Sequence, residues 1–375
     1  MAKQVILAVA GAGKTYHICH MIDRNKKNLI LAFTHENIHN IMNELIHAHG
    51  SIPELTSVMT FDSFVYRYLV LPYEPTIRDF FGHSDFLSKG ITTMDPPQQR
   101  ILGRNGKMVA NPNYHNKNDF EHYTTQKGMY YCATLSELVM QVKEGRTSLI
   151  KRAALAINTF FDHVLIDEFQ DFREHDYDLI IAMAKQIDNL VLVGDYYQHS
   201  VSATHNSGRP FQKNKNEVKF DTFKSEIEKH GFSVDEHSLI GSRRCSKSVC
   251  DFVSKKLGIS IVSSNQNAGD VIWVDDNNIG EVIQNSAIVK LVYNNARKYP
   301  FKAINWSYSK GDTYSQTCVI LTDELEKMED ESFSISTIKP VTKNRLYVAL
   351  TRSKGNLYLL RASLFKRYKS QHTDF

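Results

Sequence analysis

The fold is decided by residues 5–15, which read VILAVAGAGKT. The apolar residues 5–9 predict a short strand of a parallel sheet, because strands that are covered on both faces carry continuous apolar side chains. The strand breaks at Gly11 and Gly13, and a helical segment follows Thr15. A strand, a glycine-rich loop and a helix in this order are typical of a phosphate-binding loop.

The chemistry of this loop predicts a bound nucleoside triphosphate with Mg²⁺. Glycines let backbone N–H groups converge on a phosphate at a helix N-terminus, whose dipole favours anions. We expect Lys14 to contact the β- and γ-phosphates and Thr15 to bind Mg²⁺. Ala8 replaces the first glycine of the usual pattern, so a glycine-rich turn without a ligand stays open. The expected nucleotide contacts are Ala10, Gly11, Ala12, Gly13, Lys14, Thr15 and Tyr16.

Two further apolar runs end in polar residues. Residues 164–166 lead into Asp167 and Glu168, and residues 189–193 lead to Gln198. Ligands bind at the carboxyl ends of parallel strands. We therefore expect Asp167 to hold Mg²⁺, Glu168 to accept a proton from the attacking water, and Gln198 to contact the γ-phosphate or that water. An acidic helix cap is the alternative for the two carboxylates.

Composition indicates a globular protein with more than one domain. The chain has 375 residues, a length that is enough for two or three domains. Of these residues 42% are apolar and 23% are charged, which is typical of a globular protein. A net charge of +4 permits a polyanionic partner without demonstrating one. The five cysteines are scattered and form no CxxC motif, which favours a reducing compartment. No stretch approaches the roughly 20 apolar residues of a membrane span, so we expect a cytoplasmic protein without a membrane partner.

The order of the motifs resembles that of UvrD/Rep-like superfamily 1 DNA helicases. AVAGAGKT, DEFQD (167–171) and GDYYQ (194–198) resemble motifs I, II and III of that family. Residues 29–45 resemble motif Ia, and TFDSF (60–64) resembles a T-x-H-S-F motif in which Asp62 replaces histidine. SRRCS (242–246), NWSYSKGDTY (305–314) and LYVALTRSK (346–354) resemble motifs IV, V and VI.

This resemblance implies an α/β fold with two RecA-like P-loop NTPase lobes and parallel sheets. The first lobe would span residues 1–235, with a small inserted subdomain at about 72–150, and the second residues 236–375. ATP would lie in the cleft between the lobes, with Arg244 and Arg352 as arginine fingers on the γ-phosphate, because the arginine fork matches phosphate oxygens. Arg243, which replaces a common adenine-stacking aromatic, and Gly311 would contact the nucleotide. A surface salt bridge is the alternative for Arg352.

The family also implies where a single strand would bind. Apolar residues at 38, 41, 42, 45 and 46 predict a core-facing helix after motif Ia, which places Phe33 on the preceding loop. In the family a phenylalanine here meets a base, although Phe33 in the core is the alternative. For Trp306, stacking on a base and ordinary packing are both open. The nucleic-acid candidates are Phe33, Thr34, His35, Thr60, Phe61, Trp306 and Ser307.

The remaining segments are predicted from local pattern. In the second lobe we expect an amphipathic helix around residues 249–253 that ends near Gly258, a strand at 271–274 and a helical stretch near 281–297. The large second-lobe insertion of UvrD-type enzymes is missing. The polar stretch 82–127 is interpreted in part as a small inserted lobe, and a loose surface excursion is equally open.

The leading hypothesis is an ATP-driven single-stranded DNA translocase or helicase with 3′→5′ polarity, acting in DNA replication or repair. The small insertions leave open an ATP-gated nucleic-acid-binding module that needs a protein partner to unwind, and an RNA-directed helicase is a third possibility. A compact chain is consistent with a phage-type protein, which would act in the host cytoplasm. A P-loop kinase is disfavoured because it leaves Arg244 and Arg352 unexplained.

Overall fold

The computed structural model describes residues 3–103, 105–199, 209–213 and 216–372. The chain divides into two compact units. Unit 1 holds the described residues within 1–5, 15–193 and 207–234, and unit 2 holds those within 6–14, 194–206 and 235–375. The phosphate loop, up to Lys14, therefore belongs to the same unit as motifs III to VI. The predicted domain bounds stay a prediction.

A six-stranded sheet lies in unit 1. Each of its six strands has at least two residues that belong to this unit. The strand order is β6-β1-β5-β4-β2-β3, and β4 pairs in parallel with both β5 and β2. β2 and β5 are buried along their whole length, and apart from Asn28, whose side chain is hydrogen-bonded, their residues are apolar. The strands are β1 Gln4–Ala8, β2 Asn28–Ala32, β3 Thr56–Thr60, β4 His163–Asp167, β5 Leu190–Gly194 and β6 Ser233–Leu239.

Helices connect these strands, and their ends follow capping rules. The helix after β2 has Thr34 as its N-cap, whose side chain accepts a hydrogen bond from the Asn37 N–H, and Gly50 as its C-cap, with a φ of 80°. Its buried residues Ile41 and Leu45 confirm the predicted core-facing helix. The helices up to residue 229 are α1 Lys14–Met21, α2 His35–His49, α3 Phe61–Phe64, α4 Glu74–Phe81, α5 Leu135–Gln141, α6 Leu149–Phe160, α7 Glu174–Ala184 and α8 Phe220–Lys229.

The described residues of the stretch 82–127 include short paired strands, and some of them belong to an aromatic cluster. Residues Ile91–Thr92 pair with Tyr130–Tyr131, and Arg100–Leu102 pairs with Met108–Ala110 in a hairpin. Phe120 and Tyr130 are buried and their ring centroids lie 6.1 Å apart. This cluster favours a small packed lobe over a loose excursion.

Unit 2 contains a five-stranded sheet in which all four strand pairings are parallel. The strand order is β7-β11-β10-β8-β9. The strands are β7 Val271–Trp273, β8 Ile288–Val292, β9 Ala303–Asn305, β10 Gln316–Ile320 and β11 Leu357–Leu360. The helices are α9 Lys247–Leu257, α10 Ile279–Gln284, α11 Pro340–Leu350 and α12 Ala362–Gln371. Two parallel sheets with connecting helices confirm the predicted α/β class with RecA-like lobes.

The predicted helical stretch at 281–297 is wrong. Helix α10 ends at Gln284, and strand β8 follows within a few residues. Asn285 makes the break, because its side-chain oxygen accepts from the Ala287 N–H at 2.9 Å and its carbonyl accepts from the Ile288 N–H at 3.2 Å. The helix predicted to end near Gly258 is confirmed as α9, with Gly258 at φ 64°.

Candidate nucleotide and nucleic-acid site

Within unit 2 the phosphate loop packs directly against the motif IV arginines. The Arg243 N–H donates to the Gly11 carbonyl at 2.8 Å. A Cβ added to Gly11 would lie 2.7 Å from Arg244 Cβ, and the φ of 73° is one that side chains rarely adopt. A Cβ on Gly13 would lie 3.5 Å from Arg243 Nε. The structure therefore brings together the glycines and arginines that the sequence assigned to one nucleotide.

Arg352 is buried, and its described hydrogen bonds go to carbonyl and hydroxyl oxygens. Its side chain donates from Nε to the Val348 carbonyl at 2.8 Å, and from Nη1 to the carbonyls of Asp312 and Ser309 at 3.3 and 3.4 Å. In the described part of the chain no carboxylate hydrogen-bonds to it, and burial, with the charge of Arg244, lowers its pKa to about 9. Only 1% of the residue is exposed, which rules out the alternative of a surface salt bridge. Burying a charge costs free energy, and a bound anion would offset part of that cost.

The two predicted Mg²⁺ ligands meet within unit 1. Thr15 Oγ1 donates to Asp167 Oδ2 at 3.1 Å, and Asp167 lies buried at the carboxyl end of β4. Hydroxyl and carboxylate oxygens suit Mg²⁺, which takes few protein ligands and completes its shell with phosphate and water. Among the described residues no group of three or more His, Cys, Asp or Glu side chains could hold a metal. Thr15 and Asp167 therefore fit a Mg²⁺ ion that is bound together with a nucleotide.

Glu168 has a strained backbone. Its φ of 56° and ψ of 42° are left-handed, a conformation that costs a non-glycine residue about 1–3 kcal/mol and persists mainly at functional sites. Its carboxylate accepts a hydrogen bond from the Gln170 side chain. The short helix Phe169–Asp171 that follows receives no side-chain capping bond from Glu168. This geometry favours a chemical role over the acidic-cap alternative.

A buried hydrogen-bond network surrounds Gln198 in unit 2. Gln198 Nε2 donates to Asp195 Oδ2 at 2.6 Å, and the Tyr347 hydroxyl donates to the same oxygen at 3.2 Å. The Ala10 N–H donates to the Tyr347 oxygen at 2.8 Å. Sequence reasoning missed Tyr347, because a tyrosine among the apolar residues of LYVALTRSK has the pattern of ordinary core.

The nucleic-acid candidates of unit 1 surround an aromatic cluster. Phe33 is half-buried, with its ring centroid 5.5 Å from that of Phe61 and 5.2 Å from that of Phe172. Phe61 is only 1% exposed, so it packs against Phe33 and its ring is not accessible to a base. Thr34 and Thr60 cap α2 and α3 with their hydroxyls, while His35 is exposed. Of the two aromatic candidates in unit 1, Phe33 is therefore the one whose ring is partly exposed.

Asp62, which departs from the family motif, forms an ion pair. Its carboxylate accepts two hydrogen bonds from Arg173 Nη2, at 3.0 and 3.2 Å. Arg173 also donates to the Cys132 carbonyl, and its N–H donates to the buried Asp176 at 3.0 Å. Asp62, in the place of the histidine, therefore connects α3 to the segment after Asp167 and Glu168. The sequence pointed to Asp62 as a departure from the motif but not to its partner Arg173.

Motif V presents a different aromatic from the one predicted. Trp306 is fully buried and its indole N–H donates to the Leu291 carbonyl at 3.1 Å, so of the two roles left open it has the packing one. Ser307 is half-buried, and Gly311 has a φ of 91°. Tyr308, which was not among the candidates, is 76% exposed on the short helix Trp306–Ser309.

Comparisons with protein families give the class of the chain. A model described as "AAA domain" matches residues 2–204, and a model described as "Viral superfamily 1 RNA helicase core domain" matches residues 107–361. Each covers more than half of the chain, which therefore belongs to the superfamily 1 helicases, a family of NTP-hydrolysing enzymes. The superfamily 1 part of the sequence prediction is confirmed.

Solved helicases are similar at low identity. Arterivirus nonstructural protein 10 (helicase), alone and in complex with DNA, is 13% identical with a TM-score of 0.44. The match covers 95% of this chain and 59% or 60% of those chains. The PRRSV helicase is 12% identical with a TM-score of 0.44, over 96% of this chain and 52% of its own. The chain thus spans less than two thirds of their length.

No curated protein matches the chain. Within the described residues, no helix is both long and apolar enough to cross a membrane.

Proposed function

We propose that this chain hydrolyses ATP with Mg²⁺ and uses the reaction to step along single-stranded DNA with 3′→5′ polarity, in DNA replication or repair. The observation that carries the proposal is the contact of the Gly11 loop with Arg244, whose charge acts on the buried Arg352. A glycine loop beside the guanidinium groups of two arginines suits a polyphosphate, because fixed donors stabilise the charge that develops during phosphoryl transfer.

The proposed chemistry divides the residues by role. Lys14 and the loop N–H groups bind the phosphates, and Thr15 and Asp167 would hold Mg²⁺, which neutralises phosphate charge when bound. Glu168 accepts a proton from the attacking water, and Gln198 orients that water through its amide oxygen. Arg244 and Arg352 stabilise the γ-phosphate charge of the transition state.

Base recognition is proposed to be loose. Arg243 is exposed and its guanidinium lies beside Gly13, so it can stack on a base through a cation–π contact without reading its edge. Tyr16, which is 39% exposed, is the second residue proposed near the base. ATP is therefore the preferred but not the exclusive nucleotide.

The proposed nucleic-acid contacts are exposed aromatics. Stacking on Phe33 and Tyr308 tolerates any base, as a translocating enzyme requires. The matching viral superfamily 1 family consists of RNA helicase core domains, so an RNA strand is the alternative ligand. Measuring ATP hydrolysis with (dT)20 and with (U)20 distinguishes the two.

The proposed chemistry is tested by ATP hydrolysis in the full chain. Lys14→Ala and Glu168→Gln are each expected to lower the strand-stimulated rate by about 10²–10⁴-fold, the effect typical of removing a charge-stabilising donor or a general base. The matched controls are Lys247→Ala and Glu331→Gln, whose side chains are 84% and 95% exposed. Hydrolysis at the control rate in both site variants would refute the assignment.

A second candidate is an ATP-gated binding module that needs a protein partner to separate strands. It is favoured by the small inserted lobe, whose described strands between residues 91 and 131 have two or three residues each. A strand-displacement assay on a tailed duplex decides between the two. Stimulated hydrolysis without displacement supports the module.

A further inference from the structure

The hydroxyl of Tyr347 is a buried polar group with two partners in distant motifs. Tyr347 lies in α11 between apolar residues and is fully buried. A hydroxyl in such a place costs free energy unless it is hydrogen-bonded. Here it joins Ala10 of the phosphate loop to Asp195, and all three residues belong to unit 2.

The direction of these hydrogen bonds is fixed. The Ala10 N–H can only donate, so the Tyr347 oxygen accepts, and its own proton goes to Asp195. Burial, with the charge of Asp195, holds the pKa of Tyr347 well above its ordinary value, so that proton stays in place at any working pH.

Asp195 passes the constraint on to Gln198. Its Oδ1 accepts from the Tyr197 N–H at 3.0 Å, and its Oδ2 accepts from Gln198 Nε2 and from Tyr347. With Nε2 held by a carboxylate, the amide of Gln198 cannot rotate without losing a charge-assisted hydrogen bond. Its Oε1 is therefore the atom available to accept from a water.

We propose that Tyr347 is a positioning residue for hydrolysis: its hydroxyl holds the phosphate loop and, through Asp195, fixes the Oε1 of Gln198 relative to it. This inference rests on the proposed function. Phenylalanine would fill the same volume, so packing alone does not require the hydroxyl. The predicted effect of its loss is misplacement of the water-orienting amide without loss of nucleotide binding.

The test is Tyr347→Phe in the full chain, with ATP, Mg²⁺ and (dT)20. The kcat for hydrolysis is expected to fall about tenfold, as for one lost hydrogen bond in the transition state, while KM for ATP stays within about twofold. Asp195→Asn is expected to lower kcat similarly, and the double variant to lose no more than the larger single loss, because both residues act through one network.

The matched control is Tyr177→Phe. Tyr177 is also buried, at 2% exposure, but its hydroxyl has no hydrogen-bond partner among the described residues, so its removal leaves kcat unchanged. A kcat of Tyr347→Phe equal to that of this control, or additive losses in the double variant, overturns the inference. If Tyr347→Phe does not fold, Asp195→Asn decides alone, and a wild-type kcat there overturns it. Failure of the proposed function is separate, because the wild-type chain would then hydrolyse no ATP.

Discussion

At the scale of the residue, His199 makes stability depend on pH. Burial lowers its pKa to about 4; its Nδ1 bonds to the Tyr196 carbonyl, and its Nε2 lies 3.4 Å from Asn344 Nδ2. Because the unfolded chain titrates near 6.5, it binds more protons than the folded chain between about pH 4 and 6.5, so stability falls as the pH falls through that range. We expect unit 2 to lose about 2 kcal/mol of unfolding free energy from this group between pH 7 and pH 5.

Tryptophan fluorescence during urea unfolding measures this loss selectively. Both tryptophans of the chain, Trp273 and Trp306, lie in unit 2. His199→Asn keeps a donor for the Tyr196 carbonyl and is expected to abolish the acid-dependent loss, whereas the exposed control His237→Asn is expected to keep it. An equal loss in wild type and His199→Asn would contradict the assignment.

Individual residues differ in how far the sequence predicts them. Gly11 and Thr15 follow from a motif whose spacing is dictated by phosphate geometry, and in the structure Gly11 lies against Arg244 and Thr15 bonds to Asp167. Asp62 and Tyr347 were not foreseen. Their roles depend on Arg173, 111 positions away, and on Ala10, 337 positions away, and no local pattern encodes such contacts.

At the scale of the element, the short helix Trp306–Ser309 carries one buried and one exposed aromatic residue. Trp306 is buried, and Tyr308 is 76% exposed. We expect Trp306→Ala to cost about 3–5 kcal/mol of unfolding free energy, followed by circular dichroism in urea. We expect Tyr308→Ala to change stability by less than about 0.5 kcal/mol and to weaken binding of labelled (dT)20 by about 5–100-fold, the effect of one lost base stack.

Tyr308→Phe controls for the ring itself and is expected to bind like the wild type, because stacking needs no hydroxyl. Fluorescence anisotropy of the labelled strand measures both variants. Tyr308→Ala with wild-type affinity would remove Tyr308 from the proposed strand contacts. The sequence did not distinguish the two aromatics because a helix of one turn is too short to show a periodicity, so which side chain is buried depends on the tertiary packing of Trp306.

The helices α2 and α9 were predicted from the spacing of their apolar residues, and for α9 also from Gly258. Thr34 and Gly50 bound α2, and Gly258 ends α9, in each case with capping geometry. The stretch 281–297 was predicted wrongly because its apolar residues fit helical spacing, while the turn at Asn285 is set by one side-chain oxygen. Periodicity cannot detect such a break.

At the scale of the whole molecule, Arg352 connects the proposed nucleotide and strand contacts. Its guanidinium binds the carbonyls of Ser309 and Asp312, on either side of the segment that follows Tyr308. The parallel-sheet class was predictable from apolar runs, but this connection depends on tertiary structure. A phosphate that moves the Arg352 guanidinium would also move the carbonyls of Ser309 and Asp312, next to the short helix that carries Tyr308. We therefore expect nucleotide and strand to alter each other's affinity.

This coupling is measured with a non-hydrolysable ATP analogue, Mg²⁺ and labelled (dT)20. Linkage requires that the analogue change strand affinity by the same factor as the strand changes analogue affinity, and we expect a factor of about 5–150 in the wild type. In Arg352→Lys we expect this coupling factor to approach one. The lysine ammonium cannot contact phosphate and the carbonyls of Ser309 and Asp312 together, as the planar arginine guanidinium can. The matched control is Arg367→Lys on α12, whose partner is the exposed Asp276. A wild-type factor in Arg352→Lys would place the coupling elsewhere in the chain, whereas its loss there and retention in Arg367→Lys would assign it to this one buried guanidinium.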